Sequence, residues 1–182
     1  MPRRIAPTLV TLAAGLALAV VAALVHPSSQ ASAAPDLNVE ERAFVAMINN
    51  YRHTNGLGSL AIDRDLQSSS EWMSNDMGVN AYFSHTDSLG RDPWARLCTF
   101  NYGYNTWMGE NLGAGYRTAS EAFTGWKDSP GHNANMLGPN YTAMGISRRF
   151  VSGSPHGWYW TNEFGGVQGK ASAPRGVDAI DL

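Results

Sequence analysis

The spacing of apolar residues changes along this chain, and the change constrains the possible fold more than any other feature. Early segments place apolar side chains at i, i+3, i+4 and i+7, which is typical of a helix with one buried face. The clearest example is Phe44, Met47, Ile48 and Tyr51. From Tyr141 onward, apolar residues alternate with small or polar ones, which predicts a strand. Helices first and strands later predict an α+β domain, with helices on either side of a small antiparallel sheet.

Capping residues mark where two of these helices begin. Asn38 with Glu41, and Thr118 with Glu121, have the spacing of a capping box, in which an N-cap side chain and a glutamate bond reciprocally to the backbone. In the helix that follows Thr118, Trp126 completes an apolar stripe. We therefore expect Trp126 to be buried against the sheet.

Other elements are predicted from weaker signals. Asp63 is placed to cap a second helix, and a short helix is expected from Arg91 to about Cys98. Ser129 and Pro130 suit the N-cap and N1 positions of a last helix, with the Ser129 hydroxyl bonded to the helix backbone. The remaining strands are predicted within residues 101–114 and 158–164.

The amino-terminal segment has the composition of a secretory signal peptide. Arg3 and Arg4 precede an uncharged apolar run over residues 9–25, and Ala31-Ser32-Ala33 supplies the small residues that signal peptidase recognises. Cleavage there leaves a secreted chain that starts at Ala34. The alternative is an uncleaved membrane anchor, because the run is close to the lower length limit of a span. The chain then divides into a signal peptide (1–33), a linker (34–37), a domain (38–168) and a flexible tail (169–182).

Composition narrows the classes of function. The chain has 13 Lys and Arg against 15 Asp and Glu, which gives a formal net charge of −2. Without an excess of basic charge, binding to nucleic-acid phosphates is not expected. The single cysteine, Cys98, excludes an internal disulfide and a multi-cysteine zinc site. An exported domain of this kind is held by its core, and we expect Cys98 to be buried there, with an exposed free thiol as the alternative.

Three ionisable residues lie in contexts where burial would require a partner. His85 is in an aromatic-flanked loop, Glu110 is bracketed by glycine and apolar residues, and His132 is near the start of the last predicted helix. Two other histidines of the predicted domain, His53 and His156, are expected at the surface. Spacing alone does not place the first three together, and a structural role explains each of them taken singly.

The segments around these residues resemble a known family. The motifs are Phe83-Ser84-His85, Gly109-Glu110-Asn111-Leu112, residues 126–137 and residues 141–146, with a further match at residues 48–52. In this order, over nearly the whole predicted domain, they resemble the bacterial branch of the CAP superfamily. The superfamily is named after cysteine-rich secretory proteins, antigen 5 and plant pathogenesis-related group-one proteins. The resemblance implies an α-β-α sandwich and secretion.

The resemblance also implies a site. Eukaryotic members have a central cleft with two histidines and two glutamates, in some cases around a divalent metal. His85 corresponds to the first histidine and Glu110 to the first glutamate, whereas Ser129 and Tyr141 stand at the positions of the second glutamate and the second histidine. His132 is typical of the bacterial pattern and is placed to fill part of this space. His85, Glu110 and His132 are then expected either to hold Zn²⁺ or another divalent cation, or to form a hydrogen-bonded cluster that joins helix to sheet.

Two classes of function follow. The first is a secreted, monomeric, non-enzymatic binding module for a lipid, glycan or protein ligand, with a cleft formed by the five residues above and no membrane span after signal cleavage. Aromatic residues in loop-like sequence favour a carbohydrate or apolar ligand, unless they form a second small core: Trp94, Tyr102, Tyr104, Trp107 and Tyr116. The second class is a metal-dependent, protease-like hydrolase that uses His85, Glu110 and His132. A Ser129 nucleophile paired with His132 is disfavoured, because the serine hydroxyl is expected to cap a helix.

Overall fold

The computed structural model describes residues 36–169. Within this range the domain has five helices and four strands. In chain order they are α1 (Val39–Thr54), β1 (Ala61–Ile62), α2 (Arg64–Val79), α3 (Pro93–Thr99), β2 (Met108–Ala114), α4 (Ala119–Lys127), α5 (Pro130–Met136), β3 (Ala143–Phe150) and β4 (Trp158–Gly165). The predicted signal peptide and nearly all of the predicted tail lie outside the described residues. Among residues 36–169, no helix has the length and apolar character needed to cross a bilayer.

The four strands form one sheet in the order β1-β3-β4-β2. Strand β4 is antiparallel to both of its neighbours, as the sequence predicts. Strand β1 is too short to show a period, and it runs parallel to β3, so the sheet is mixed. Its pairing includes bonds of 3.0 Å from Ala61 N to Thr142 O and from Asp63 N to Met144 O. This order makes β2 an edge strand.

Helices α1, α4 and α5 cover one face of the sheet. Their core joins Phe44 of α1, Trp126 of α4 and Met136 of α5 to Trp160 of β4. Trp126 is only 1% exposed. Its indole N–H donates to the Leu112 carbonyl of β2 at 2.9 Å. The burial of Trp126 confirms the expectation from the apolar stripe of α4.

Helices α2 and α3 cover the opposite face. Leu66 and Met73 of α2 and Leu97 of α3 are fully buried there. Because helices cover both faces, residues 143–147 of β3 are all buried, although their alternating sequence predicted only one buried face. Gly145 makes this possible, because a Cβ at this position would overlap the backbone of Leu66.

The helix caps follow the sequence closely. The two predicted capping boxes are present, one at Asn38 with Glu41 and the other at Thr118 with Glu121. Asp63 caps α2 by accepting from two backbone amides. Each cap satisfies amides that have no partner within the helix, so these helix starts are encoded locally.

Two expectations about single residues are wrong. Cys98 is exposed, because it lies on the outer side of α3 while Arg96 and Leu97 face inward. Ser129 is the N-cap residue of α5, but its hydroxyl makes no capping bond. It pairs instead with Nδ1 of His132, at 2.8 Å. His132, one helical turn away, competes with the backbone amides for the Ser129 hydroxyl, and the hydroxyl pairs with His132 instead of capping the helix.

Candidate functional site

The site is built on two glutamates on neighbouring strands. Glu110 of β2 and Glu163 of β4 are direct partners in the antiparallel register, so their side chains lie on the same face of the sheet. Ser69 of α2 donates to Glu163 Oε1 at 3.1 Å, which identifies this face as the one covered by α2 and α3. Both carboxyl groups are buried. Two such groups side by side in the interior require a compensating charge or proton.

Arg96 of α3 supplies that charge. Its Nη2 donates to Glu110 Oε2 and, at 3.2 Å, to Glu163 Oε1. Its Nη1 donates to the backbone oxygen of His85 at 3.2 Å and lies 3.9 Å from Asp87 Oδ2. The guanidinium is fully buried. We name His85, Asp87, Arg96, Glu110 and Glu163 the Arg96 cluster.

The segment between α2 and α3 brings His85 and Asp87 to the cluster. Asp76, near the end of α2, accepts from the Ser88 amide at 2.9 Å and from the Ser88 hydroxyl at 2.6 Å. Burial raises the pKa of Asp76, but hydrogen bonds, above all from Ser88, outweigh this and hold it below its usual value. Asp87 in turn pairs with Arg91 at 2.8 Å. Side-chain bonds therefore fix this irregular segment close to His85.

His85 is the solvent-exposed residue of the Arg96 cluster. Its side chain is 57% exposed, and its Nδ1 lies 2.6 Å from Glu110 Oε1. Burial and then the nearby Arg96 guanidinium lower the pKa of His85, and the charge of Glu163, which favours a charged imidazole, does not outweigh them. When the ring is neutral and Glu110 is ionised, the Nδ1–H tautomer donates to Glu110 and leaves Nε2 able to accept a hydrogen bond.

Burial raises the pKa of both glutamates. It raises the pKa of Glu110 to about 7, although Arg96 pulls this value down. The pKa of Glu163 is also raised well above its usual value, by burial and by the proximity of Glu110. Two carboxyl groups that interact this strongly titrate as a pair. When one of them is protonated, Arg96 balances the other.

No hydrogen bond or ion pair joins the side chains of His132 and Glu110 within residues 36–169. His132 Nδ1 pairs with Ser129, and the His132 backbone oxygen accepts from Asn111 Nδ2 at 3.0 Å. The alternation of β2 explains why Asn111 rather than Glu110 contacts His132, since Glu110 points toward α3 while the next residue, Asn111, points toward α5. Burial lowers the pKa of His132, and the charge that His85 carries when it is protonated lowers it further.

Tyr141 lies just before β3 and contacts the start of β2. Its ring stacks on Phe164 with 5.3 Å between centroids, and its hydroxyl donates to the Met108 oxygen at 3.2 Å. Of the five site residues predicted from the sequence, His85 contacts Glu110 and Ser129 contacts His132. Within the described part of the chain, Tyr141 makes no side-chain hydrogen bond or ring contact with any of these four residues.

The three residues expected as metal ligands do not fit a divalent cation in this geometry. Within residues 36–169, no three His, Cys, Asp or Glu side chains are grouped as a metal site requires. Glu110 has both carboxylate oxygens engaged, Oε1 by His85 and Oε2 by Arg96. The guanidinium thus lies where a cation would meet Glu110 and Glu163.

Arg96 and Glu163 were missed from the sequence. Glu163 is an acid within a strand of apolar and neutral residues, and Arg96 follows Trp94 and Ala95 in a short predicted helix. Both contexts indicate a buried charge that needs a partner. The partners are 67 residues apart, however, and no local pattern connects them.

The fold defines a class of protein. The α-β-α sandwich is the architecture that the sequence resemblance implied. Residues 45–164 match the model of the cysteine-rich secretory protein family, CAP. The chain belongs to this family, which confirms the resemblance.

Curated relatives come from Bacillus subtilis strain 168. The chain is 34% identical over 133 residues to the uncharacterized protein YkwD, a match that covers 73% of this chain and 49% of YkwD. It is 29% identical over 106 residues to the uncharacterized membrane protein YlbC, covering 58% of this chain and 30% of YlbC. The chain therefore spans half or less of the length of these two relatives.

Solved structures share the fold. An extracellular protein containing an SCP domain from Bacillus anthracis is 27% identical with a TM-score of 0.61, over 69% of this chain and 39% of that one. An outer surface protein from Borrelia burgdorferi is 21% identical with a TM-score of 0.64, over 72% of this chain and 95% of that one. At the latter identity the likeness concerns the fold alone.

Proposed function

We propose that this protein is a secreted, non-enzymatic binding module whose ligand contacts His85, Ser129 and His132. The observation that carries the proposal is the internal charge balance of the Arg96 cluster. Arg96 pairs with both Glu110 and Glu163, Arg91 pairs with Asp87, and within the cluster the His85 ring is the group most open to solvent. Such a site offers a hydrogen-bonding group to a ligand at the exposed His85 ring.

The geometry favours binding over metal-dependent hydrolysis. Glu110 would have to release His85 or Arg96 before it could contact a cation or activate a water molecule. The contact between Ser129 and His132 has the length of a nucleophile–base pair, 2.8 Å. In residues 36–169, however, no carboxylate contacts the His132 ring, which therefore lacks the group that usually orients a catalytic base.

Secretion is supported by the sequence and by one relative. The apolar run at residues 9–25 and the Ala31-Ser32-Ala33 site are the features that direct export, and both lie outside the described residues. The Bacillus anthracis relative is an extracellular protein. If the chain is secreted, its ligand is encountered outside the cell.

An assay of proteolysis separates the two functions. The secreted protein is incubated with fluorescein-labelled casein, with and without zinc chloride. We expect no peptide release above the buffer blank in either condition, because Glu110 is engaged and His132 lacks an orienting carboxylate. The matched variants are His132→Ala and His156→Ala, the latter replacing an exposed histidine in a turn. Zinc-dependent release that persists in His156→Ala and is lost in His132→Ala would contradict the proposal.

A further inference from the structure

A groove with aromatic walls lies between α3 and the segment of residues 103–108. Its volume is about 550 Å³. The walls include Trp94 and Cys98 from α3, Tyr104 and Trp107 from the segment, and Tyr141. Helix α3 therefore has two roles, since it directs Arg96 into the cluster and Trp94 into the groove.

The aromatic residues of this region divide into two groups. Tyr102 is fully buried, and Tyr116 packs against the core on the other face of the sheet. Trp94, Tyr104 and Trp107 are exposed, with exposed fractions of 51% for Trp94 and 65% for Trp107. Large rings that open onto one groove, and that the domain core does not use, are typical of a ligand site.

Backbone and side-chain bonds hold the groove segment in place. The Tyr102 hydroxyl donates to the Val167 oxygen at 2.5 Å and accepts from the Val167 amide at 3.1 Å. At the other end of the segment, the Trp107 oxygen accepts from the Gly166 amide at 2.9 Å. A wall that is fixed in this way loses little conformational freedom when a ligand binds, which favours affinity.

We propose that this groove binds a short, uncharged saccharide. The inference rests on the proposed binding function and adds a second contact surface to it, because His85, Ser129 and His132 do not line this groove. The C–H bonds on one side of a sugar ring carry partial positive charge and pack well on the electron-rich face of an indole, which Trp94 and Trp107 supply. Asn105 and Thr106 also line the groove and provide neutral donors and acceptors for sugar hydroxyls.

The uncharged lining of the groove favours a saccharide over an anionic lipid as its ligand. None of the side chains that line the groove is charged. Arg96 lies on the same helix, but its guanidinium is buried in the cluster and engaged by Glu110 and Glu163. A fatty acid or phospholipid carries an anionic head group, which requires a cation or several N–H donors to replace its water. The groove offers such a head group no cation, whereas an uncharged saccharide needs none.

Calorimetric titration tests this proposal on the secreted protein. The probes are maltotriose, tri-N-acetylchitotriose and, as the lipid alternative, sodium laurate. We expect saturable binding of at least one trisaccharide and none of laurate. Trp94→Ala and Trp107→Ala should each weaken saccharide binding by about tenfold, the effect of losing one stacking contact. Both side chains are exposed, so neither change is expected to unfold the domain.

The matched control is Phe150→Ala, which removes an exposed aromatic ring at the end of β3, outside the groove. This variant should bind the saccharide as the wild type does. Three results would overturn the proposal: laurate binding without saccharide binding, saccharide binding that both tryptophan variants retain in full, or no binding of any probe. The first of these leaves the protein a binding module, and hydrolysis is tested separately by the casein assay.

Discussion

Replacement of Trp126 by alanine should lower the free energy of unfolding by about 3–5 kcal/mol. The indole is buried at the junction of α4 and β2, where it packs edge-on against Phe44 with 5.1 Å between ring centroids. Its N–H also satisfies the carbonyl of Leu112. Alanine at this position leaves a cavity and a buried carbonyl without its partner. Such a loss is a large share of the stability of a single domain.

Urea unfolding followed by circular dichroism measures this effect. Trp107→Ala is the matched control, because it deletes the same atoms from an indole that is 65% exposed. Its unfolding midpoint should stay close to that of the wild type. A Trp126→Ala midpoint equal to the wild-type value would mean that α4 does not pack on the sheet through this residue.

The second large effect is expected from Arg96→Met. Methionine keeps much of the side-chain length but removes the charge that Glu110 and Glu163 share. Removal of one partner from a buried ion pair costs about 3–5 kcal/mol. Arg149→Met is the control, because Arg149 pairs with Glu71 at 3.5 Å on the surface. The loss of an exposed pair of this kind costs about 0–1 kcal/mol. Equal stabilities of the two variants would contradict the role given to Arg96.

The loss in free energy of unfolding caused by Arg96→Met, called the deficit below, should depend on pH. Burial raises the pKa of Glu110 to about 7, and removal of the guanidinium, which lowers it, raises it further. A carboxyl group whose folded-state pKa exceeds its unfolded value stabilises the fold at low pH, and this contribution is lost as pH rises through the folded-state pKa. The deficit is therefore smallest in acid and grows as pH rises past neutrality. Unfolding curves recorded across this range check the sign, and a deficit independent of pH would contradict it.

Much of the fold is encoded locally and could be predicted. The capping pairs at Asn38 and Thr118 and the apolar stripe ending at Trp126 are short-range signals, and each marks an element that the structure contains. Strand β1 could not be predicted in this way. Its two residues are ordered by pairing with β3, which lies about 80 residues further along the chain.

The site was only partly predictable, for the same reason. His85 and Glu110 stand out because of their immediate neighbours, and they are in contact. The partners that neutralise Glu110 depend on how helices pack on the sheet, so Arg96 and Glu163 were not identified. The side-chain alternation of β2 directs Glu110 and Asn111 to opposite faces of the sheet, and Asn111 rather than Glu110 contacts His132.

Titration of zinc chloride by calorimetry tests most directly whether Arg96 or a metal ion holds Glu110 and Glu163. The samples are the wild type, His85→Ala and His132→Ala. We expect all three to give only the heat of dilution, because His85 and Arg96 each contact one carboxylate oxygen of Glu110 and the Arg96 guanidinium already supplies the positive charge. A saturable isotherm in the wild type that is lost in both variants would contradict the arrangement described, and would instead identify a metal site.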